Sequence, residues 1–434
     1  MWNTPAALRA TPSRGRRLRP GGAGSAVPWG GARTPDIEML GRRSFLYAGL
    51  AVAGLPAWAQ TDDKWGALRG YPESRSSFER LPEYRVGNYS GGLERSIRHH
   101  VIQPGSRAAA WSETLVNDFR YRSGLSQTTP DAYLAQWPVT GLLIARDNHI
   151  LFERYRFARQ PSMRLQSWSM AKSVTSLLLG ICLDRGLIAS FDDPAARYVP
   201  ELTGTLHGQT SLRDLANMCS GADVVHARDN AVLYPGALLG RDPDIARTVA
   251  GWNQRSEPAG TRFNYNELCP LTLGMVMRRV TAGSLSAFAE QVLWQPLGAE
   301  APATWFTDAR GAEFNSIGFA ARLRDWARLG RLVAQRGRGP DGRAIVSDSW
   351  ITECTSWSEA DAPVRLGRAR LAQGYKALFW HARADGSRPA MHGHHGQRVL
   401  IDLPTRTVLV HTAVDQQGAW ESELLDMFDA ATRL

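Results

Sequence analysis

The sequence Ser-Met-Ala-Lys at positions 169–172 decides the fold, together with the largely apolar stretch that follows it up to position 185. A lysine three residues after a serine is the arrangement that activates a serine nucleophile. Residues 177–183 are apolar on every side, which is typical of a helix buried all round. Gly186 provides the usual stop after a helix. The pattern predicts a buried helix over 169–185 with a nucleophilic serine at its start.

Lysine is nearly absent from the 434-residue chain: only three of its 51 basic residues are lysines, namely Lys64, Lys172 and Lys376. Arginine cannot give up its proton in a protein, whereas a desolvated lysine can. A position that needs only positive charge would be an arginine in such a chain, so Lys172 is interpreted as kept for acid–base chemistry. We expect burial to lower the pKa of Lys172 and to keep its amine neutral.

The start of this helix brings three chemical features together. Lys172 lies one turn after Ser169 on the same face, within reach of the serine oxygen. The N–H groups of the helix N-terminus lie where the oxyanion of an acyl-transfer reaction would form. A serine hydroxyl is a weak nucleophile and needs such a base. These residues predict a serine hydrolase.

The first 59 residues are predicted to lie outside the folded domain. Residues 1–38 are rich in Gly, Arg, Pro and Ala and predict disorder. Residues 39–59 carry paired arginines, a short apolar run and Ala-Trp-Ala, which together predict a twin-arginine-type signal peptide cleaved after Ala59. The protein would then be periplasmic or secreted. Residues 1–38 are either upstream read-through, with translation starting at Met39, or a genuine N-terminal extension.

The basic charge of the chain comes mostly from this leader. Residues 1–59 hold eight Arg and two acids, a net of +6 out of the formal +10, which leaves +4 for residues 60–434. The remaining arginines are scattered, so no nucleic-acid partner is predicted. The leader is too short to form a stable membrane span, and none is predicted for the mature protein.

The cysteines are too widely spaced for a C-x-x-C redox or zinc motif. An oxidising compartment would permit disulfides, but Cys182 lies in the apolar helix and is expected to be a packed thiol. The pairing of the four stays open. They are Cys182, Cys219, Cys269 and Cys354.

Two hairpins are predicted at opposite ends of the domain. Each has alternating strands around a turn-forming segment, and an amphipathic helical tail follows the second. The strands are residues 139–146 with 149–155, and 399–403 with 408–413. We expect both ends to form one antiparallel sheet with helices packed against it, an α/β (α+β) fold.

The segment between the hairpins is predicted to be a mainly helical inserted region, at about 190–360 of a single domain spanning 60–434. Helices are expected at 211–218, 271–280, 285–293 and 320–334.

Four motifs along the chain resemble the β-lactamase-related serine hydrolases, most closely the 6-aminohexanoate-dimer hydrolase type, whose relatives include class C β-lactamases, DD-peptidases and carboxylesterases. The likeness extends over about residues 85–434 and implies the β-lactamase/transpeptidase-like fold. The motifs are Ser-Met-Ala-Lys-Ser at 169–173, Ser-Leu-Arg-Asp-Leu-Ala-Asn-Met-Cys-Ser-Gly at 211–221, Pro-Ala-Gly-Thr-Arg-Phe-Asn-Tyr-Asn at 258–266 and Gly-His-His-Gly-Gln at 393–397.

The resemblance implies that Tyr265 shuttles protons together with Lys172. The family continues Tyr-Ser-Asn, whereas this chain has Tyr265-Asn266-Glu267. Glu267 is therefore a candidate substrate-binding residue, and its presence in place of Asn argues against classical β-lactam turnover. Without the flanking motif, Tyr265 would be interpreted as a core aromatic residue.

The last motif is matched to the family's Lys/His-Thr/Ser/Gly-Gly strand at His394, His395 and Gly396. The resemblance implies that the backbone N–H of Gln397 joins that of Ser169 in an oxyanion hole, and that His394 supplies a switchable charge to a substrate carboxylate. The nearby His392 invites a metal hypothesis, but no carboxylate ligand or H-E-x-x-H motif accompanies the histidines. No metal or other cofactor is predicted.

Other sites have weaker sequence support. No G-x-S-x-G nucleophile elbow, phosphate loop or dinucleotide fingerprint is present. Four tryptophans are candidates for an apolar acyl pocket, although core packing is the expectation for any single one. These are Trp168, Trp252, Trp305 and Trp380.

Three functional hypotheses follow. The first is an exported amidase or esterase that forms an acyl-enzyme on Ser169, with Lys172 and Tyr265 as general base and acid. The second is a penicillin-recognising β-lactamase or DD-peptidase. The third is a binding module of the same fold without turnover. The partner in each case is a small-molecule amide, ester or lactam.

Overall fold

The computed structural model describes residues 70–77, 81–415 and 420–434. All of these residues belong to one compact unit of the chain. The predictions for the disordered extension and the signal peptide lie outside the described residues. No helix within the described residues is both long and apolar enough to span a bilayer.

The regular elements alternate between short strands and helices along the chain. The strands are β1 His99–Ile102, β2 Ser112–Glu113, β3 Tyr121–Ser123, β4 Ser126–Thr128, β5 Val139–Arg146, β6 His149–Tyr155, β7 Leu165–Gln166, β8 Ala303–Phe306, β9 Phe319–Ala321, β10 Gly374–Lys376, β11 Phe379–His381, β12 Pro389–Gly393, β13 Gln397–Asp402 and β14 Thr407–Ala413. The helices are α1 Pro82–Gly87, α2 Pro130–Gln136, α3 Ala171–Asp184, α4 Leu206–Gln209, α5 Leu212–Ala216, α6 His226–Tyr234, α7 Ile245–Gly251, α8 Leu268–Thr281, α9 Leu285–Ala289, α10 Leu323–Ala334, α11 Asp348–Thr355 and α12 Trp420–Ala431.

An eight-stranded sheet in the order β10-β11-β12-β13-β14-β5-β6-β2 forms the centre of the fold. Both predicted hairpins are present, as β5–β6 and β13–β14, and they are joined where Val410 of β14 lies opposite Leu143 of β5. The predicted union of the two chain ends in one antiparallel sheet is confirmed. The exception is the edge, where the two-residue strand β2 pairs parallel to β6.

Helices cover both faces of this sheet. Alternate residues of the central strands point to opposite sides, so Leu143 and Val410 enter the larger core while Leu142 and Leu409 enter a second one. Helix α10 packs on β13, β14 and β5, and α12 adjoins α2. Burial on both faces explains why the sequence of β5 is an almost continuous apolar run.

The inserted region is mainly helical, as predicted, and it also contributes strands β8 and β9 to a second sheet in the order β1-β8-β9-β7. The helix predicted from residue 320 begins at Leu323, since Ala320 pairs with Gln166 in β7. Tertiary pairing overrides the helix propensity of the two alanines here. This pairing also fixes the chain just before Ser169, because the Ser167 N–H donates to the Phe319 carbonyl at 2.8 Å.

Candidate active site

Ser169 lies on a single 3₁₀ turn, Trp168–Met170, that leads directly into α3. Trp168 has a φ of 46°, in the left-handed region that a bulky residue adopts only at a cost in strain. Residues Ala171–Cys182 of the helix are all buried. A strained turn on a rigid, buried helix therefore presents the serine hydroxyl, as predicted apart from the tighter first turn.

Lys172 lies behind Ser169 with its side chain only 2% exposed. Its Nζ donates to Ser169 Oγ at 3.1 Å, to Glu267 Oε2 at 2.7 Å and to the Ser316 carbonyl at 3.1 Å. The predicted contact between the serine and the lysine is present. The three acceptors match the three donors of an ammonium group.

The protonation state of Lys172 differs from the prediction. Burial by itself lowers the pKa of Lys172, but the charge of Glu267 and the adjacent Tyr265 outweigh it, so the pKa is raised above its usual value. Burial likewise opposes ionisation of Glu267, yet Lys172 and His226 lower the pKa of that carboxyl to about 2. The resting pair is an ammonium and a carboxylate, and the predicted neutral amine is wrong.

Tyr265 packs against the same ammonium group. Lys172 Nζ lies 4.8 Å from the centroid of the Tyr265 ring. Burial raises the pKa of Tyr265, while Lys172 and Ser169 act in the opposite direction without cancelling it. Tyr265 is thus a protonated phenol beside both the serine and the lysine, which is the position that the motif implied.

Glu267 does not face a substrate, contrary to its predicted binding role. Its side chain is fully buried. While Oε2 accepts from Lys172, Oε1 lies 3.3 Å from His226 Nε2 and accepts from Tyr234 Oη at 3.3 Å. The carboxylate is fully occupied as the counter-ion of the lysine. No spacing in the sequence indicated these partners, because His226 precedes Glu267 by 41 residues.

The part of strand β12 that approaches the nucleophile is Gly393, rather than the predicted His394-His395-Gly396. A Cβ on Gly393 would lie 2.1 Å from the Ser167 carbonyl oxygen, so only glycine fits there. His394 follows it, with its ring 5.9 Å from that of Trp168. The motif match was therefore placed three residues too late.

Two residues of the predicted motif, His395 and Gln397, make structural contacts instead. His395 is buried, its Nδ1 lies 2.8 Å from Tyr89 Oη, and burial lowers its pKa to about 2. The backbone N–H of Gln397 donates to the His394 carbonyl, and its side-chain amide donates to the Ala413 carbonyl at 2.6 Å. These contacts do not agree with the predicted substrate-binding role of His395 or with the predicted oxyanion role of Gln397. Gly396, the remaining residue of the predicted motif, lies in the same turn.

An aromatic wall lies beside Tyr265. Trp380 is 5.6 Å from Tyr265, stacks on His392 at 5.4 Å, and meets Tyr375 at 5.0 Å, all between ring centroids. Of the four candidate tryptophans, Trp168 and Trp380 reach the site. Trp305 is fully buried against Phe319, and Trp252 lies in the inserted region with its Nε1 directed to the Asp223 carbonyl.

Within residues 70–77, 81–415 and 420–434, no group of three or more His, Cys, Asp or Glu side chains could hold a metal ion. The histidines of the metal hypothesis diverge: His392 stacks on Trp380, and His395 contacts Tyr89. The four cysteines are buried free thiols.

The chain is similar in sequence to known proteins. The family model described as Beta-lactamase matches residues 131–396. A 6-aminohexanoate-dimer hydrolase of Paenarthrobacter ureafaciens is 27% identical over 388 residues, covering 86% of this chain and 92% of the relative.

Solved structures share the fold. A Bacillus anthracis protein classed with the 6-aminohexanoate-dimer hydrolases superposes with a TM-score of 0.74 at 21% identity, covering 83% of this chain and 98% of its own. A family VIII carboxylesterase superposes with a TM-score of 0.53 at 19% identity, covering 70% and 95%.

Proposed function

The chain belongs to the β-lactamase family, and from that premise we propose that it is an exported serine hydrolase that cleaves an amide or ester bond through an acyl-enzyme on Ser169. The observation that carries the proposal is the 3.1 Å contact between Lys172 Nζ and Ser169 Oγ, at the start of a buried helix with Tyr265 alongside. Nucleophile and base within hydrogen-bond reach are the signature of covalent catalysis.

In the acylation step, Ser169 Oγ attacks the substrate carbonyl while its proton passes to Lys172, once the lysine has released one of its own. The ammonium and Tyr265 then lie where they can return that proton to the leaving alcohol or amine. Deacylation repeats the transfers with water in place of the serine hydroxyl.

The developing oxyanion needs donors beside Ser169. One is the backbone N–H of Ser169 at the helix start. Since the N–H of Gln397 donates to the His394 carbonyl, we assign the second donor to the backbone N–H of His394, directly after Gly393, where the end of β12 adjoins the serine turn. Two such donors stabilise the transition state by a few kcal/mol, on the order of 3 for each.

The same site favours a linear amide or ester over a penicillin. Glu267 replaces the amide of the family's Tyr-x-Asn, and its two oxygens are already occupied by Lys172, His226 and Tyr234. The approaching strand presents Met391 and His392, and burial lowers the pKa of His392 well below its usual value. A permanent cation for a β-lactam carboxylate is therefore missing from this part of the strand.

A fluorophosphonate probe tests the nucleophile. It should label the wild-type protein and fail to label Ser169→Ala, while Ser173→Ala, a buried serine on the same helix, keeps its label. Labelling of Ser169→Ala would refute the assignment. Absence of labelling in the wild type, together with no hydrolysis of short acyl nitrophenyl esters, would favour a binding module.

A substrate panel separates the enzymatic alternatives. We expect nitrophenyl esters or linear amides to be turned over and the chromogenic cephalosporin nitrocefin to be spared. Rapid nitrocefin hydrolysis would establish the β-lactamase alternative. Export is tested by sequencing the N-terminus of the mature protein, which is expected near Gln60.

A further inference from the structure

One carboxylate at the site faces two groups that can each hold a proton. Glu267 Oε2 lies 2.7 Å from Lys172 Nζ, and Glu267 Oε1 lies 3.3 Å from His226 Nε2. The lysine is 2% exposed, whereas the histidine side chain is 33% exposed at the start of α6. The single negative charge of Glu267 is thus shared between a buried cation and an imidazole that reaches solvent.

This arrangement bears on the step that the proposed function requires, because Lys172 cannot accept the serine proton while it is an ammonium. We propose that His226 is a positioning residue for catalysis: it takes over the charge of Glu267 and thereby frees Lys172 to act as the base. The inference rests on the proposed function.

The proton balance is closed. In the resting state Lys172 is charged and His226 is neutral; in the reactive state Lys172 is neutral and His226 is an imidazolium, with Glu267 ionised in both. One proton passes from Lys172 Nζ to Oε2. The protonated carboxyl then turns about its Cγ–Cδ bond, and the same proton passes from Glu267 to His226 Nε2, so that one N–H bond is broken and one is formed. The histidine accepts it in the tautomer that keeps its hydrogen on Nδ1, which a half-exposed ring reaches by exchange with water.

Solvation favours this exchange. Burial disfavours the charge on Lys172, whereas His226 can be hydrated. The titratable groups around the histidine are few. Glu267 and Tyr265 face it from the loop that precedes α8, Tyr234 lies on its own helix, and Lys172 lies beyond Glu267. The Asp229 carboxylate, also on α6, is held by Arg228 and the Val225 N–H.

The test is the pH dependence of kcat on a nitrophenyl ester. The wild type should be nearly flat from pH 7 to about 8, because its reactive state keeps the same number of protons; at higher pH, loss of the lysine proton to solvent takes over. His226→Gln has no second place for the proton, so the lysine must lose it to solvent. Its kcat should fall about ten- to hundredfold at pH 7 and then rise about tenfold per pH unit. A wild-type profile in His226→Gln would overturn the proposal.

A double substitution sharpens the test. In Glu267→Gln the buried lysine loses its counter-ion and becomes neutral without help, so His226→Gln should add no further loss in that background. Additive losses would overturn the proposal. If Ser169 labelling by a fluorophosphonate fails in the wild type, the proposed function falls as well; if labelling persists and only these profiles disagree, the inference alone falls.

The chain offers a matched control. His100 Nδ1 lies 2.9 Å from the buried Glu313, and its side chain is 38% exposed, so it repeats the His226–Glu267 contact without a lysine. His100→Gln should leave the pH profile unchanged. Thermal unfolding of each variant shows whether it is folded. If His226→Gln does not fold, His226→Asn takes its place, and a flat profile there also overturns the proposal.

Discussion

Two buried lysines of this protein are each paired with a buried carboxylate but differ in their other contacts. Lys172 is 2% exposed and lies 2.7 Å from Glu267, while Lys376 is 5% exposed and lies 2.9 Å from Asp361. The remaining close partners of Lys376 are the Ser356 carbonyl at 2.9 Å and Glu353 at 3.3 Å. Those partners are acceptors, whereas Lys172 also touches a hydroxyl that can lose its proton.

The difference shows what makes a buried ion pair reactive. A lysine paired with a carboxylate is a common structural device and not by itself a stabilising one. The site at Lys172 adds a serine on a strained turn and a phenol against the ammonium. At Lys376 the carboxylate is instead part of a capping box, because Asp361 accepts from the N–H and the hydroxyl of Ser358.

Replacing each of these two lysines by arginine should show the difference between them most clearly. Lys172→Arg keeps the charge and removes the base beside Ser169, so kcat for a nitrophenyl ester should fall about a thousandfold. Lys376→Arg should keep kcat near the wild-type value, since no reacting group touches that side chain. Near-normal turnover by Lys172→Arg would show that the ammonium acts only as a charge.

Replacing each lysine by methionine should then show where the two regions agree. Each substitution leaves a buried carboxylate without its cation, so the free energy of unfolding should fall by about 3–5 kcal/mol in both. Urea unfolding measures this, and the fluorophosphonate probe measures the site. Only Lys172→Met should lose labelling; loss of labelling in folded Lys376→Met would contradict the division of roles.

Acid titration of stability should next distinguish Glu267, the carboxylate at the active site, from Asp361, the carboxylate beside Lys376. Burial opposes ionisation of Glu267, but Lys172 and His226 lower its pKa from 4.5 to about 2. A carboxyl whose pKa is lower in the folded than in the unfolded protein stabilises the fold at pH values above the unfolded pKa. This stabilisation, up to about 3 kcal/mol here, is lost as the pH falls from about 4.5 to 2. Glu267→Gln should flatten this part of the curve of unfolding free energy against pH.

Asp361 gives the comparison for this titration. Burial raises the pKa of its carboxyl, but hydrogen bonds from Lys376 and Ser358 lower it overall, so its stability contribution has the same sign. Asp361→Asn should flatten the acid limb without changing kcat at neutral pH. An unchanged acid limb in Glu267→Gln would contradict the ionised pair at the active site.

The smallest expected effect concerns the aromatic wall beside Tyr265. The aromatic residues near Lys376 are expected to have no such role in catalysis. Trp380→Phe removes part of the surface beside Tyr265, so KM for esters with long acyl chains should rise about fivefold with kcat unchanged. Trp357→Phe, which alters the tryptophan in edge-on contact with His381 near Lys376, should leave KM as it is. A rise in both would point to a general loosening of the sheet.

Much of the framework could be predicted from local sequence. The two hairpins and the helix that begins near Ser169 depend on alternation, turn residues and apolar runs, which neighbouring positions encode. The second sheet could not be predicted, because Phe319–Ala321 is a strand only through its pairing with Ala303–Phe306 and Leu165–Gln166. Residues far apart in the sequence determine it.

The candidate site follows the same division. Ser169, Lys172 and Tyr265 were found by motif and lie together. The sign of the lysine pKa shift was missed because it depends on a carboxylate 95 positions away. The scarcity of lysine was also a weaker argument than expected, since Lys376 is buried in a structural network. The serine three residues earlier, rather than rarity, distinguishes Lys172.

The pairing of β14 with β5 has a consequence for how the molecule is made. Thr407 lies opposite Arg146, so neighbours in the middle of the sheet are separated by most of the domain. During synthesis from the N-terminus, the β5 edge of the hairpin β5–β6 stays unpaired until the residues of β14 have been translated. Ordering of the sheet is thereby postponed until β14 is available, and a chain that ends after α11 cannot complete it.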